Sequence, residues 1–395
     1  MTPRLCIAIA GAGVGGLAAA ALLASDGHKV QVFDQFSAPR PLGSGLVLQP
    51  TGQAVLAHIG ALGAALGNGA VLNRMLGHEV SGRRVLDVAY DRRGHRHGLA
   101  IHRAYLFDAL LDTAQKARAE ICPSSEVMAV SQGPKRRLIM ADGRREGPFD
   151  VVVDAAGARS PLSTISAKPL SYGALWGSVD WVEGLGLATN QLTQRYLGAS
   201  KMLGIMPMGR RPGSDRPAAA IFYSLPADRY NQWQANGLAA WQAEVAGLWP
   251  EFAPFAAQIT APEQLTMARY AHGALRRPWS SGLAHIGDAA HQASPQLGQG
   301  ANMALLDALA LARALRKNAG DAALADYAAM RRWHVWLYQI FSYAFTPQYQ
   351  SHSHVLPVLR DRVLAPLTLV PPFPLILSRL VCGDIIPPLA GEAQL

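Results

Sequence analysis

The sequence is poor in cysteine, in lysine and in charge of either sign. Its 395 residues hold three cysteines, Cys6, Cys122 and Cys382. Odd in number and far apart, they argue against a disulfide framework and point to a reducing compartment, the cytoplasm. No Cys/His pair has zinc-site spacing, so no metal is expected. The formal net charge of +9 comes mostly from arginine, since lysine occurs only at Lys29, Lys116, Lys135, Lys168, Lys201 and Lys317. The basic pairs, such as Arg83-Arg84, Arg136-Arg137 and Arg331-Arg332, are scattered. Scatter suits solubility and attraction of anionic small molecules better than a nucleic-acid stripe, and no nucleic-acid motif accompanies it. Long apolar runs are missing too: Val363 to Leu377 is broken by Pro366, Pro371, Pro372 and Pro374, short of the roughly 20 residues a membrane span needs. Leu5 to Ala24 has the composition of a secretory signal, but its glycine spacing reads as strand, turn and helix.

What is present is an apolar half of the chain, enough for a large core and two to three structural units. The run Arg4 to Ala10, then Gly11-Ala12-Gly13-Val14-Gly15-Gly16, then an Ala/Leu helix from Leu17 and a second strand, Lys29 to Phe33, ending at Asp34, is the dinucleotide fingerprint. Gly11 makes the tight turn, Gly13 lets the backbone approach a pyrophosphate, Gly16 allows close helix packing, and Asp34 is placed to accept from an adenosine ribose.

Further along, Arg40 to Gly60 is a glycine-bearing loop and strand leading into a helix near Thr51. Val71 to Tyr90 and Gly98 to Ile101 alternate as strands joined by a solvated hairpin turn, Asp91 to His97. Arg103 opens a helix, where a cation is disfavoured; an anionic partner such as a diphosphate and a surface salt bridge are both readings of it. Val151 to Val153 reads as a buried parallel strand. From Leu170 to Tyr270 the texture becomes that of an antiparallel sheet, interrupted by a helix from about Gln232 to Leu248. Asp321 to Tyr349 reads as a helix rich in aromatics. The proline-broken tail, 355–390, is a candidate for peripheral contact with a bilayer or a lipophilic partner.

The densest stretch is His285-Ile286-Gly287-Asp288-Ala289-Ala290-His291, followed by Pro295, Gly298, Gln299, Gly300, Ala301 and Asn302. It reads as a strand, a sharp loop and an Ala/Leu helix ending near Lys317, with Gly320 as its stop. Asp288 at the strand end offers an acceptor-only carboxylate to a polyhydroxyl chain. The helix start directs free N–H groups and partial positive charge at whatever precedes it.

These signals, in this order, resemble the group A flavoprotein monooxygenases, the para-hydroxybenzoate hydroxylase family, from residue 1 to about 320. The resemblance implies an α/β fold: a Rossmann-like FAD-binding domain (1–70, 99–165 and 271–320) interleaved with an antiparallel-sheet substrate domain (71–98 and 166–270), plus a C-terminal helical region (321–395). It implies FAD on Gly11, Gly13, Val14, Gly15 and Gly16, with Asp34 at the ribose and Gln35, Val127 and Gly157 also on the cofactor. Arg40 and Arg103 would reach the phosphates or ribityl chain, Asp288 the ribitol, and Pro295 with Gly298, Gln299, Gly300, Ala301 and Asn302 the isoalloxazine. NAD(P)H would reduce the flavin, and O2 would add to give a flavin 4a-hydroperoxide that hydroxylates or epoxidises an aromatic or lipophilic molecule.

Tyr196, Met206, Tyr223 and Pro295 are the candidate substrate pocket. No side chain is assigned as obligatory acid or base; His291 and Tyr223 are the ones able to deprotonate a phenol. One departure stands out. The family's Gly-Ala-Asp-Gly is here Asp154-Ala155-Ala156-Gly157, which leaves the route of reduction open unless Asp154 substitutes for the missing acid. The Trp-x-Trp-x-Ile-Pro signature of flavin halogenases is absent. A flavin reductase or dehydrogenase without oxygen insertion, and a flavin-binding partner without turnover, remain the alternatives.

Overall fold

The computed structural model describes residues 3–38, 44–91, 94–133 and 135–391. At its centre is a six-stranded sheet in the order Trp279–Ser280, Leu283–His285, Val151–Asp154, Cys6–Ala10, Lys29–Phe33, Glu120–Cys122. Every pairing is parallel except that of the edge strand Trp279–Ser280. Strand alternation explains why both faces are apolar. Ile7, Ile9, Val151 and Val153 face the helices Val14–Ser25, Arg103–Lys116 and Gly300–Lys317. Ala8, Ala10 and Val152 face the opposite way, onto an antiparallel meander of Val127–Val130, Arg136–Met140 and Arg145–Phe149.

A second, eight-stranded sheet runs His291–Gln292, Thr266–Ala274, Lys168–Asp180, Ser214–Pro226, Lys201–Arg211, Gln191–Leu197, Arg74–Glu79, Arg84–Ala89. It is antiparallel apart from the Gln191–Leu197 and Arg74–Glu79 pair. One face carries Leu203, Ile205, Ile221 and Tyr223 under the helix Tyr230–Leu248; the other carries Met202, Met206, Met208, Ala220 and Phe222. The chain ends in a 30-residue helix, Gly320–Tyr349, a helical strap through Val355–Leu359, Arg360–Leu364 and Ala365–Leu367, and a last helix, Phe373–Cys382. No described helix is long and apolar enough to cross a membrane.

Two expectations need correction. The strands flanking Asp91 to His97, a stretch of which residues 92 and 93 lie outside the described residues, do not form a hairpin, because Arg84–Ala89 pairs with Arg74–Glu79 at the edge of the large sheet while Gly98–His102 pairs with Gly45–Leu48 and Ala70–Leu72 in a separate one. The flanking strands belong to different sheets, and equal alternation in both carries no information about partner choice. Gly320 does not stop the Gly300–Lys317 helix, which ends with Asn318 in an extended conformation; Gly320, at φ +58°, opens the next helix.

Candidate functional site

A cleft of about 770 Å3 runs across the ends of the parallel strands, lined by Gly11, Gly13, Val14, Gly15, Asp34 and Gln35 at one end and by Arg103, Asp288, Gly300 and Ala301 at the other, with Val127 and Gly157 also on its wall. At Gly11 the chain leaves the first strand with φ +103°, and a Cβ there would stand 2.6 Å from the Ala155 carbonyl oxygen. Only glycine fits that turn. A Cβ on Gly16 would lie 2.0 Å from the Gly11 carbonyl oxygen, so Gly16 serves the packing of helix against turn and does not line the cleft. The Gly13 Cβ position is open. The first turn of Val14–Ser25 has no acidic residue, and its unpaired N–H groups favour an anion beside them. Asp34 accepts from the Ala12 N–H at 2.8 Å and the Phe36 N–H at 3.0 Å, which fixes the turn and leaves its remaining lone pairs for a ligand hydroxyl. Arg40 lies outside the described residues.

The Asp288 end is built on a buried charge network. Gly287 turns at φ +58°, and its N–H donates to Asp307 at 2.9 Å. Asp307 also pairs with His291 Nε2 and Arg331 Nε, each at 2.7 Å. Burial alone would push the Asp307 carboxyl up, but His291 and Arg331 bring it down to about 2. Asp288 itself is solvent-accessible on the cleft wall, and none of its side-chain atoms has a hydrogen-bond partner among the described residues. The surrounding protein shifts it upward, with His291 and Arg103 opposing and Asp307 adding to the shift. His291 is committed to Asp307 and is not placed to deprotonate a substrate.

The loop before Gly300–Lys317 divides into wall and support. Gly300 and Ala301 line the cleft at a helix start free of acids. Asn302, expected on the ring, is fully buried: its Oδ1 accepts from the Gln49 N–H at 2.8 Å and its Nδ2 donates to the Gly298 and Val47 carbonyls. Gln299 donates to the Val381 carbonyl at 2.8 Å. Gly298 closes the turn Pro295–Leu297 at φ +61°. Pro295, Gly298, Gln299 and Asn302 therefore shape the loop without lining this cleft.

Asp154 does not replace the missing acid. It is fully buried, paired with His285 Nδ1 at 2.7 Å and accepting from Ser160 Oγ at 2.7 Å and the Ala156 N–H at 3.1 Å. Ala155, Ala156, Gly157, Ala158, Arg159 and Pro161 line the cleft there instead.

The three candidate pocket residues of the large sheet do not form one pocket. Met206 pairs with Ala220 on the inner face. Tyr223 pairs with Leu203 on the outer face, where its OH donates to Glu244 at 3.0 Å, it contacts Lys201, and its ring packs edge-on against Trp241. An odd register offset between the two strands puts it on the wrong side. Tyr196 is on the inner face but sealed, its OH bonded to Gln194 at 2.6 Å and its ring against Tyr349 and Arg360. Three residues missed in sequence stand on the inner face or its edge instead. Trp176 packs on Phe222 with centroids 4.7 Å apart and the rings tilted by 35°, and its Nε1–H donates to Tyr270 OH at 2.8 Å. Burial raises the Tyr270 phenol to about 12 against the pull of Trp176 and nearby Arg103, so it keeps a proton to donate. Register parity with Met206 was the available signal for Trp176 and Phe222; it required knowing which strands pair.

Glycine faces open to the cleft, N–H groups at two helix starts, and carboxylates at both ends fit a dinucleotide with a polyol linker. A family model described as FAD binding domain matches residues 4–342. The chain belongs to that family, and FAD is its cofactor. Its relatives include a putative 2-heptyl-3-hydroxy-4(1H)-quinolone synthase of Rhodococcus erythropolis, 27% identical over 355 residues, covering 85% of this chain and 86% of the relative. Aurachin C monooxygenase/isomerase of Stigmatella aurantiaca is 28% identical over 359 residues, covering 84% and 86%. Among solved structures, a variant of Klebsiella pneumoniae HpxO complexed with FAD superposes with a TM-score of 0.81 at 20% identity, over 97% of this chain and 100% of that one.

Proposed function

We propose that the protein is an FAD-dependent monooxygenase that hydroxylates or epoxidises an aromatic or lipophilic small molecule, with NAD(P)H as electron donor. The observation that carries this reading is the Gly300–Lys317 helix start on the cleft wall, acid-free and aimed at the space beside Asp288. Bound FAD, once reduced, supplies the activation of O2. The chain's own residues bind, orient and shield. In this reading Gly11, Gly13, Val14 and Gly15 hold the pyrophosphate, Asp34 the ribose and Asp288 the ribitol. The N–H groups of Gly300 and Ala301 stabilise negative charge at the ring edge. Arg103, on the cleft wall, would reach the phosphates or the ribityl chain.

Residues 1–70, 99–165 and 271–320 act as the FAD-binding part, and 71–98 with 166–270 as the substrate part. The substrate lies against the inner face of the large sheet, where Trp176, resting on the buried Phe222, offers aromatic surface and Tyr270 a phenolic O–H. Names among the relatives, quinolone synthase and aurachin C monooxygenase/isomerase, support an aromatic substrate with lipophilic character.

The deciding experiment is a screen of aromatic and quinolone compounds for stimulated NAD(P)H oxidation by the purified holoprotein, followed by mass spectrometry of the product formed under labelled O2. One labelled oxygen per product is expected. Product without label would sink the proposal in favour of a reductase or dehydrogenase, and a flavin that no donor reduces would favour a binding partner without turnover.

A further inference from the structure

The helical strap after the long C-terminal helix is inside out. Arg360 is 2% exposed and lies between the rings of Tyr196 and Tyr349, 5.0 Å from each, while its Nη1 donates to the Gln348 carbonyl at 2.8 Å and its Nε pairs with Asp361 at 2.6 Å. Pro357 and Ala365 pack inward, but most of the large apolar side chains point away from the protein. Val355, Val358, Leu359, Val363 and Leu367 are spaced three and four apart on one helical face, and all are exposed, Val355 by 74%. The row continues through Leu369, Val370, Phe373, Leu375 and Ile376, with Leu375 64% exposed. A soluble surface rarely keeps so many large aliphatic groups together, because each contiguous patch of that size costs hydration free energy unless something covers it.

The charges around this face are mostly positive, with Glu79 the acid that shares the groove beside Val358 with Arg83 and Arg362. Between residues 353 and 379 the only acid is Asp361, and it is half-buried against Arg360. Arg362 and Arg379 are exposed on the strap and last helix, and Arg83 is exposed on the neighbouring strand turn. Arg83, Arg84 and Arg362 share a shallow groove with Leu369 and Thr368. Two carboxylates also line that groove, but Asp87 is spent on Arg74 and Arg84 and Asp361 on Arg360, which leaves Arg83 and Arg362 over. An apolar helical face whose rim is net cationic, Arg83, Arg362 and Arg379 against the one partly exposed carboxylate of Glu79, matches the acyl and headgroup layers of an anionic bilayer surface better than the mixed charge of a typical protein partner.

We propose that the 355–376 face docks the protein on anionic lipid membranes, lying in the interface with Val358, Leu369 and Leu375 in the acyl boundary and Arg83 and Arg362 on lipid phosphates. Arg360, clamped by Tyr196 and Tyr349, is the rivet that holds the strap to the large sheet so that the face stays outward. The surface is separate from the cofactor cleft, so this proposal stands or falls independently of the reaction.

The test is flotation of the FAD-loaded protein with phosphatidylcholine vesicles, with and without a minority of phosphatidylglycerol. The protein should float with the anionic vesicles and much less with the neutral ones, and added salt should weaken the association. The double variant Leu369→Glu/Leu375→Glu, with unchanged flavin spectrum and Tm, should lower partitioning on the order of a hundredfold. Arg83→Glu/Arg362→Glu should remove the preference for anionic lipid. Wild-type protein that stays unbound with every vesicle would overturn the proposal. So would a concentration-dependent dimer, seen by analytical ultracentrifugation, that the two leucine substitutions abolish in the absence of any vesicle binding; the face would then be a contact between copies of the chain.

Discussion

The carboxylate of Asp307 receives the backbone N–H of Gly287 at 2.9 Å, so a helix side chain fixes the turn that presents Asp288 to the cleft. The same carboxylate neutralises Arg331, which is 2% exposed. Asp307→Ala should therefore strand a buried guanidinium and release the turn together, a loss of about 3–5 kcal/mol by analogy with other broken buried pairs. Thermal denaturation should show the lower stability. The fluorescence of released flavin should show weaker FAD retention at temperatures where the variant remains folded.

Asp288→Ala separates binding from folding. Its carboxylate bonds to no protein group among the described residues, and the surrounding protein disfavours its charge. The apoprotein should be as stable as wild type or slightly more so. FAD affinity should fall, since a hydrogen bond to a charged group contributes about 1.5–3 kcal/mol, roughly ten- to hundredfold in Kd. Calorimetric titration of apoprotein with FAD is the measurement, and unchanged affinity would remove Asp288 from the site.

The glycines of the first turn should divide the same way. Gly11→Ala forces a side chain into a left-handed backbone and against the Ala155 carbonyl, a strain of about 1–3 kcal/mol before any clash; it should lower the Tm of the apoprotein. Gly13→Leu meets open space at an ordinary φ of −78°. Its product should fold normally and fail to bind FAD, as read by the absence of a yellow holoprotein after reconstitution.

On the substrate side, Tyr270→Phe removes the O–H that Trp176 leaves free to donate, without touching the cofactor cleft. It should raise KM or lower kcat/KM about tenfold for a polar aromatic substrate, the cost of one lost hydrogen bond, with FAD affinity unchanged. Tyr223→Phe is the control. Because Tyr223 faces the Tyr230–Leu248 helix, its kinetics should match wild type.

The cofactor half of this architecture was legible in sequence because its logic is local. Gly11, Gly13, Gly16 and Asp34 lie within 24 residues, and each answers to a backbone constraint that a spacing rule can state. The Gly300–Lys317 helix was legible for the same reason. What failed depended on partners far along the chain. Asp307 and Arg331 sit at helix positions that read as core and surface, and only the fold joins them to Gly287. Tyr223 and Met206 look alike in sequence, yet one register offset places them on opposite faces. Asn302 has the residue type of a ligand contact, but Gln49 and Val47, some 250 residues earlier, claim its amide. The tail was suspected from composition; its inverted face follows only once Arg360 is seen to point inward.

Acid sensitivity should trace to His334. Arg331 Nη1 can only donate, so His334 Nδ1 accepts from it at 3.2 Å and the Nε2–H donates to the Gly383 carbonyl at 2.9 Å. That ring must be neutral. Burial, with Arg331 beside it, drives its pKa down to about 3, against 6.5 in the unfolded chain. A histidine depressed on folding leaves stability intact above pH 6.5. Below it the unfolded state takes the proton first, and stability falls at about 1.4 kcal/mol per pH unit until the folded value is reached. Asp307, held at about 2, adds no further slope until the pH approaches the usual carboxylate range near 4. Thermal melts between pH 8 and pH 4.5 should therefore show a plateau followed by a decline beginning near 6.5. His334→Gln, which keeps a donor and an acceptor but does not titrate, should start from a somewhat lower Tm and follow a shallower slope; an unchanged slope would assign the decline to the buried His28 and His272 and the half-buried His78 and His102, whose pKa values are also lowered by burial.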